Sequence, residues 1–273
     1  MKRIGVLTSG GDTPGMNAAI RAVFKTGVDI DLQVMGIYHG YKGLIEGRVG
    51  YLAHADVESK MHKGGTILRT TRSEEFKTEG GIEKAISVLR AYEIEGLIVI
   101  GGDGSFKGAD ALSKRGIPVI GIPGTIDNDM GYTDFTIGFD TAVNNVMNEI
   151  YKIRDTMRAH DRVGVIEVMG RRCGDIALWA GVAGAADIIL VPERPLSWAD
   201  AANRLAANKL RGQLTSIVMI AEGAGKAEDF CEYVRKYTDV EIKATVLGYI
   251  QRGGNPSAFD LSLIHISEPT RRS

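Results

Sequence analysis

Gly121-Ile122-Pro123-Gly124-Thr125-Ile126-Asp127-Asn128-Asp129 is the stretch on which the reading of this chain turns. It follows Ile117-Pro118-Val119-Ile120, an apolar run expected to be a buried strand. Two carboxylates, a hydroxyl and an amide therefore stand at the C-terminal edge of a strand. In open α/β sheets that edge is where ligands bind. The spacing lets one aspartate act as a base while the other helps hold a metal.

The same design recurs along the chain. Gly101-Gly102-Asp103-Gly104-Ser105 follows Leu97-Ile98-Val99-Ile100, and Asp103 is placed to ligate Mg²⁺ beside phosphate oxygens. Thr8-Ser9-Gly10-Gly11-Asp12-Thr13-Pro14-Gly15 leads from a strand into a helix whose first turn suits Pro14. A helix N-terminus there offers N–H groups to an anion. The loop is neither Walker A nor G-x-G-x-x-G, and alone it reads equally well as an ordinary strand–helix turn. Val168-Met169-Gly170-Arg171-Arg172-Cys173-Gly174-Asp175 ends another strand, with an arginine able to meet charge that develops in phosphoryl transfer. Glu222 closes Ile217 to Ala221, and Arg72 and Arg252 each follow a glycine pair or stand beside one. Surface arginine and strand-end cap are the ordinary readings of these three. The chemistry implied by the set is phosphoryl transfer to a hydroxyl.

Strands are expected at Arg3 to Thr8, Val34 to Tyr38, Gly96 to Ile100, Pro118 to Ile122, Val163 to Met169, Asp187 to Val191, Ser216 to Ala221 and Ala244 to Leu247. Between them, helical spacing is clearest from Phe139 through Val146 and Ile150 to Met157, mostly as core. Repeated strand–helix–strand units imply an α/β fold, two Rossmann-like three-layer lobes with mostly parallel sheets and a cleft between them. A boundary near Gly138 gives one lobe over 1–138, to which 251–260 return, and a second over 139–250. Leu261 to Ser273 has no clear periodicity and resembles translated adapter or vector sequence, so 261–273 is expected to be a non-native tail.

Composition narrows the function classes. A chain of 273 residues with 44% hydrophobic content has ample core. A net charge of −1 gives no argument for nucleic acid or an anionic membrane. No apolar stretch reaches the ~20 residues of a membrane helix, and no signal peptide precedes the first strand. The two cysteines, Cys173 and Cys231, form no metal or redox spacing, and a cytoplasmic location is expected. Glycine, at 35 residues, includes five adjacent pairs. Gly80-Gly81 reads as a turn; the other pairs suit close backbone approach to a polyanion.

Five collinear motifs resemble the bacterial ATP-dependent 6-phosphofructokinases from Met1 to Asp260. They are Gly5 to Asp12, Gly101 to Ser105, Pro123 to Asp129, Glu167 to Arg171, and Thr245 to Gly248 running on to Gln251-Arg252-Gly253-Gly254. The resemblance implies transfer of phosphate from ATP to the 1-hydroxyl of fructose 6-phosphate, the committed step of glycolysis. It implies Asp127 as general base, with Thr125, Arg72 and Arg171 as further catalytic groups. It implies ATP at Gly11, Arg72, Ser73, Gly102, Asp103, Gly104 and Ser105, and Mg²⁺ at Asp103 and Asp129. The sugar phosphate is implied at Thr125, Ile126, Asp127, Met169, Gly170, Arg171, Glu222, Lys243, Tyr249, Ile250, Gln251 and Arg252. Arg162 matches a phosphate contact from a neighbouring subunit, so a homo-oligomer, typically a tetramer, is implied. Gly104 and Gly124 look like the ATP-using branch, since pyrophosphate-using relatives tend to carry Asp and Lys there. Arg21, Lys25, Arg154, Asp187 and Arg211 fit the family's site for ADP or phosphoenolpyruvate, although Gln213-Leu214-Thr215 stands where a basic cluster is expected.

Lys243 and Tyr249 depart from the family's arginine and histidine, and weaker fructose 6-phosphate affinity is expected because lysine lacks the bidentate fork. The alternative is a nucleotide- or sugar-phosphate-binding pseudoenzyme; a weaker third reading is a kinase acting on NAD or a lipid. Family members continue beyond Asp260. The apolar surface left by losing several helices, at about 25 cal/mol per Å², exceeds a stability margin of ~5–15 kcal/mol. The chain as written is therefore expected to be unstable or to aggregate.

Overall fold

The computed structural model describes residues 2–131 and 133–267. Strands and helices alternate through β1 (Arg3–Ser9), α1 (Met16–Asp29), β2 (Gln33–Ile37), α2 (Gly40–Ile45), β3 (Val49–Tyr51), α3 (His54–Val57), α4 (Glu79–Ala91), β4 (Gly96–Gly101), α5 (Asp103–Ser113) and β5 (Val119–Pro123). They continue through α6 (Phe139–Ala159), β6 (Val163–Val168), α7 (Asp175–Ala183), β7 (Ile188–Leu190), α8 (Trp198–Leu210), β8 (Ser216–Ala221), α9 (Ala227–Tyr237), β9 (Ile242–Val246) and α10 (Ala258–Ser267).

Two compact units result. The first comprises Met1–Thr125, Met130–Gly138 and Gly253–Ser273; the second comprises Ile126–Asp129 and Phe139–Arg252. The four residues Ile126–Asp129 thus cluster with the second unit although they lie upstream of Gly138.

The first unit is built on a five-stranded sheet of order β3-β2-β1-β4-β5. Every neighbouring pair is parallel except β2 with β3. Strand periodicity divides the side chains between two faces. Ile4 and Val6 of β1 enter a core with α1, whereas Leu7 joins Leu97 and Val99 in a core with α4 and α5. The chain moves from β1 to β2 on one side and later to β4 on the other. The ends of β1 and β4 are therefore adjacent at a switch point, the place where such sheets receive ligands.

The second unit carries a parallel sheet of order β7-β8-β6-β9. One face, including Val165, Val218 and Ile220, packs on α8 and α9 through Ala201, Leu205, Phe230 and Val234. On α6, Phe139, Ala142, Val143, Val146, Ile150 and Met157 are buried, while Met147 and Ile153 are half-buried.

Two local expectations are corrected and two features are added. The run Ile117 to Ile120 is not buried: β5 is the edge of its sheet and Ile120 is 65% exposed. Gly80-Gly81 is helical rather than a turn, because Thr78 caps α4 by accepting from Gly81 N at 3.1 Å. The short β3, antiparallel to β2, extends the sheet beyond the expected strands. The residues after Asp260 form the rest of α10, with Ile264 buried against the α1 core. Asp260 anchors that helix: its Oδ1 accepts from Gly138 N at 2.8 Å, and its own N donates to Ser257 Oγ at 3.2 Å. Residues 268–273 of the expected tail lie outside the described residues.

Candidate active site

In the first unit, two glycine-rich turns follow the adjacent strands β1 and β4. Gly10 turns the chain with φ 89°, and Thr70 Oγ1 donates to its carbonyl at 2.8 Å. Gly15 stands at φ 99° just before α1, where an added Cβ would meet Ile137 Cγ2 at 2.5 Å. The helix begins at Met16, two residues after Pro14. Gly102 is the N-cap of α5, and Asp103 and Gly104 occupy its first turn. That turn directs N–H groups and the positive end of the helix dipole outward.

The α5 turn is held from below. Tyr41 Oη donates to Ser105 O at 2.6 Å, and its ring stacks on Phe76 at 4.0 Å. Burial pushes the phenol above its ordinary range, so it remains a donor. Tyr41 is silent in the sequence, because an isolated aromatic beside a glycine carries no signal of what it touches. Ser105 Oγ is buried and has no hydrogen-bond partner among the described residues. Asp103 is exposed and pairs with Lys107 at 2.7 Å. Arg72 is exposed, with no side-chain hydrogen bond or ion pair among the described residues. Ser73 Oγ accepts from Phe76 N at 3.2 Å. Gly11 is exposed beside Gly10.

Gly104 and Gly124 differ in why they are small. An added Cβ at Gly104 meets nothing within 4 Å, so no protein atom requires glycine there. At Gly124 it would approach Ile100 Cγ2 at 3.1 Å. Thr125, next in the chain, is half-buried, and its carbonyl accepts from Thr136 Oγ1 at 2.6 Å.

In the second unit, Asp127 is 5% exposed, and its Oδ2 lies 3.2 Å from Arg171 Nε. Ile126 beside it is buried, Asp129 is exposed. Arg171 has φ 53° and follows Gly170 at φ 131°, where a Cβ would run into Cys173 O. This tight turn aims the guanidinium toward Asp127. It is fastened by Cys173 N donating to Gly170 O at 2.8 Å and Arg171 N donating to Glu222 Oε1 at 2.7 Å. Glu222 can stand there because β6 and β8 are hydrogen-bonded neighbours, with Val168 opposite Ala221. Met169 N donates to Gln251 Oε1 at 3.0 Å, and Gln251 is buried. Arg252 lies over the exposed ring of Tyr249 at 4.8 Å, and Ile250 is exposed beside it.

The second sheet separates two residues expected to act near this turn. Lys243 pairs with Gly164 at the beginning of β9, and Arg162 immediately precedes β6. Both therefore occupy the N-terminal edge of the sheet, whereas Met169, Arg171 and Glu222 follow its C-terminal edge. Gly164 to Val168 alone spans about 13 Å at 3.3 Å per residue. Lys243 is exposed, and Arg162 Nε pairs with Glu241 at 2.6 Å. Sequence nearness to Tyr249 concealed this, because a strand carries its two ends to opposite sides.

Of the residues read as an effector site, Arg21 and Lys25 share α1 and lie 3.5 and 3.1 Å from Glu58. The Lys25 hydrogen bond, helped by Arg21, holds that carboxyl below its usual range. Arg154 donates to the carbonyls of Gly184 and Ala185 beyond α7 at 2.5 and 2.8 Å. Asp187 accepts from Ile217 N and Gln213 Nε2, both at 2.7 Å, and Arg211 donates to Asn208. No group of three or more His, Cys, Asp or Glu side chains converges as a metal site among the described residues.

Two doubly wound α/β units, each with functional side chains beyond its strand ends, define the class. The phosphofructokinase family model matches residues 3–266, and the chain belongs to that family. It is similar to the ATP-dependent 6-phosphofructokinase of Clostridium novyi, 54% identical over 260 residues, which is 95% of this chain and 82% of that one. The ATP-dependent 6-phosphofructokinase of Clostridium botulinum strain Hall matches with the same identity and coverage. Among solved structures, the phosphofructokinase of Saccharomyces cerevisiae superposes with a TM-score of 0.89 at 36% identity. That match covers 97% of this chain, which spans 40% of the yeast chain's length.

Proposed function

We propose that this chain transfers the terminal phosphoryl group of ATP to the 1-hydroxyl of fructose 6-phosphate, giving fructose 1,6-bisphosphate and ADP. The observation that carries the reading is the Asp127–Arg171 pair, a buried carboxylate and an aimed guanidinium on two strand-end turns. Asp127 accepts the hydroxyl proton as the oxygen attacks phosphorus. Arg171 exchanges its hold on Asp127 for the phosphoryl oxygens, where planar fork geometry suits the spreading charge. Arg72 meets the same charge. The Gly10-Gly11 turn and the N-terminus of α5 receive ATP phosphates, with Ser73 and Ser105 beside them. The sugar is held by Met169, Gly170, Glu222, Tyr249, Ile250, Gln251 and Arg252.

ATP is favoured over pyrophosphate as donor. The space at Gly104 is left open by the protein itself, as a passing nucleotide requires. The curated relatives carry ATP-dependent names. Magnesium is proposed at Asp103 and Asp129, exposed hard carboxylates of the kind it takes beside phosphate oxygens and water. When bound, it neutralises phosphate charge.

A second copy of the chain would supply Arg162 and Lys243 to the 6-phosphate, so the active form is a homo-oligomer, with a tetramer proposed. ADP and phosphoenolpyruvate are proposed as effectors at Arg21, Lys25, Arg154, Asp187 and Arg211. Gln213 is bonded to Asp187, which supports a retuned response. The absence of a membrane-spanning helix among the described residues is compatible with the cytoplasmic site proposed. The pseudoenzyme alternative is disfavoured because Asp103, Asp127 and Arg171 are all retained.

The deciding experiment is a coupled assay of ATP and fructose 6-phosphate with Asp127→Asn. Removing a general base is expected to lower kcat by roughly 10²–10⁴-fold while ATP still binds. Near wild-type turnover in the variant would refute the reading.

A further inference from the structure

We infer that Asp175, working through Asn128, is a positioning residue for the Asp127–Arg171 pair. This rests on the phosphotransferase reading above. Asn128 lies between the two aspartates of the opening motif and adopts a left-handed backbone, φ 53°. Asparagine is among the few residues with a Cβ that enter this region readily, so the turn can aim its amide at little backbone cost. Asn128 Nδ2 donates to Asp175 Oδ2 at 2.9 Å. Asp175 is the first residue of α7 and closes the turn that carries Arg171.

Two contacts among the described residues tie the turns together. One tie is the ion pair between Arg171 and Asp127, which the reaction must open if Arg171 is to reach a phosphoryl group. The other is the Asn128–Asp175 bond, which involves neither reacting group. Asp175 is itself held on a fixed frame: Gly174 N donates to Glu193 Oε1 at 2.7 Å, and Arg171 N donates to Glu222 at 2.7 Å. When Arg171 releases Asp127, the Asn128–Asp175 bond keeps the base in register with the turn. Asp175 touches no reacting atom; its effect is on the distance between two groups that do.

The test compares Asp175→Ala, Asp175→Asn and Asn128→Gly in the full chain, with Asp127→Asn as control. Asp175→Asn keeps an acceptor for the Asn128 amide, and Asn128→Gly keeps the left-handed backbone while removing the donor. Misplacement of a reacting group by about 1 Å can lower turnover ~10²-fold. Asp175→Ala and Asn128→Gly are each expected to lower kcat about 10- to 100-fold, with the KM for ATP within about twofold of wild type. Asp175→Asn should recover most of kcat, and the double variant Asn128→Gly/Asp175→Ala should be no worse than either single one. A purely structural role predicts instead that thermal stability falls while kcat holds, or that losses in the double variant add; either result overturns the inference. If Asp175→Ala does not fold, Asn128→Gly decides alone, and wild-type kcat there rejects it. Inactive Asp127→Asn with wild-type Asp175→Ala sinks only this inference. Active Asp127→Asn sinks the parent reading as well.

Discussion

At the scale of single residues, chemistry depends on which atoms a backbone turn can aim. Gly170 and Arg171 both have positive φ, and the guanidinium reaches Asp127 only because the turn is that tight. Replacing Gly170 by alanine forces a Cβ into Cys173 O, so the variant is expected to lose activity while leaving ATP affinity unchanged. Steady-state kinetics with separate KM values checks this. Lys243→Arg and Tyr249→His are expected to lower the KM for fructose 6-phosphate with little change in kcat, since a guanidinium grips a phosphate through two bonds. No change in KM would show that neither residue limits sugar binding. The cysteines belong to this scale too. Burial raises the thiols of Cys173 and Cys231 to about 11. Both are therefore protonated at pH 8; at the half-buried Cys173 alkylation should be slow there and accelerate as pH rises toward 11, whereas Cys231, fully buried, should stay unmodified in the folded chain. Mass spectrometry after timed iodoacetamide treatment reads this directly.

At the scale of elements, periodicity was legible where it was long. The strand at β1 and the helical spacing of α6 follow from residue order alone. Short apolar runs were not. Four apolar residues before the Asp127 motif look the same in a central strand and an edge strand, and β5 turned out to be an edge. The three residues of β3 lack enough length for any pattern. The helical state of residues 261–267 was hidden for a different reason: Leu261, Leu263 and Ile264 form no clear stripe, and only their packing in the α1 core reveals it. Ile264 is 4% exposed, and Ile264→Ala is expected to destabilise the fold by about 2–5 kcal/mol. Asp260→Ala strands the Gly138 amide and is expected to cost about 1–3 kcal/mol. Chemical denaturation of each variant tests whether α10 is integral. An unchanged midpoint for both would show that it is not.

At the scale of the whole molecule, the apolar surface carries the argument. In α7, Ile176, Ala177 and Ala180 are buried, yet Leu178, Trp179 and Val182 are 44%, 50% and 67% exposed. A helix apolar around its circumference is ordinarily buried on more than one side. This face supports the proposed homo-oligomer, and Leu178→Glu/Val182→Glu is expected to shift the sedimentation coefficient toward a smaller species. The candidate site was legible in the sequence as a set of strand-end motifs. The positions of Tyr41, Asn128 and Asp175 were not, because each acts through a contact made across the fold rather than along the chain.

The separation of Arg162 and Lys243 from Arg171 along the second sheet has a genetic consequence. In the oligomer proposed above, each copy completes its neighbour's site and not its own. A chain with both Arg162→Ala and Lys243→Ala still carries an intact Asp127, and an Asp127→Asn chain still carries both cations. Co-expressed, the two defective alleles should complement in trans, because mixed assemblies contain sites built from the sound half of each. Either allele alone would leave every site damaged.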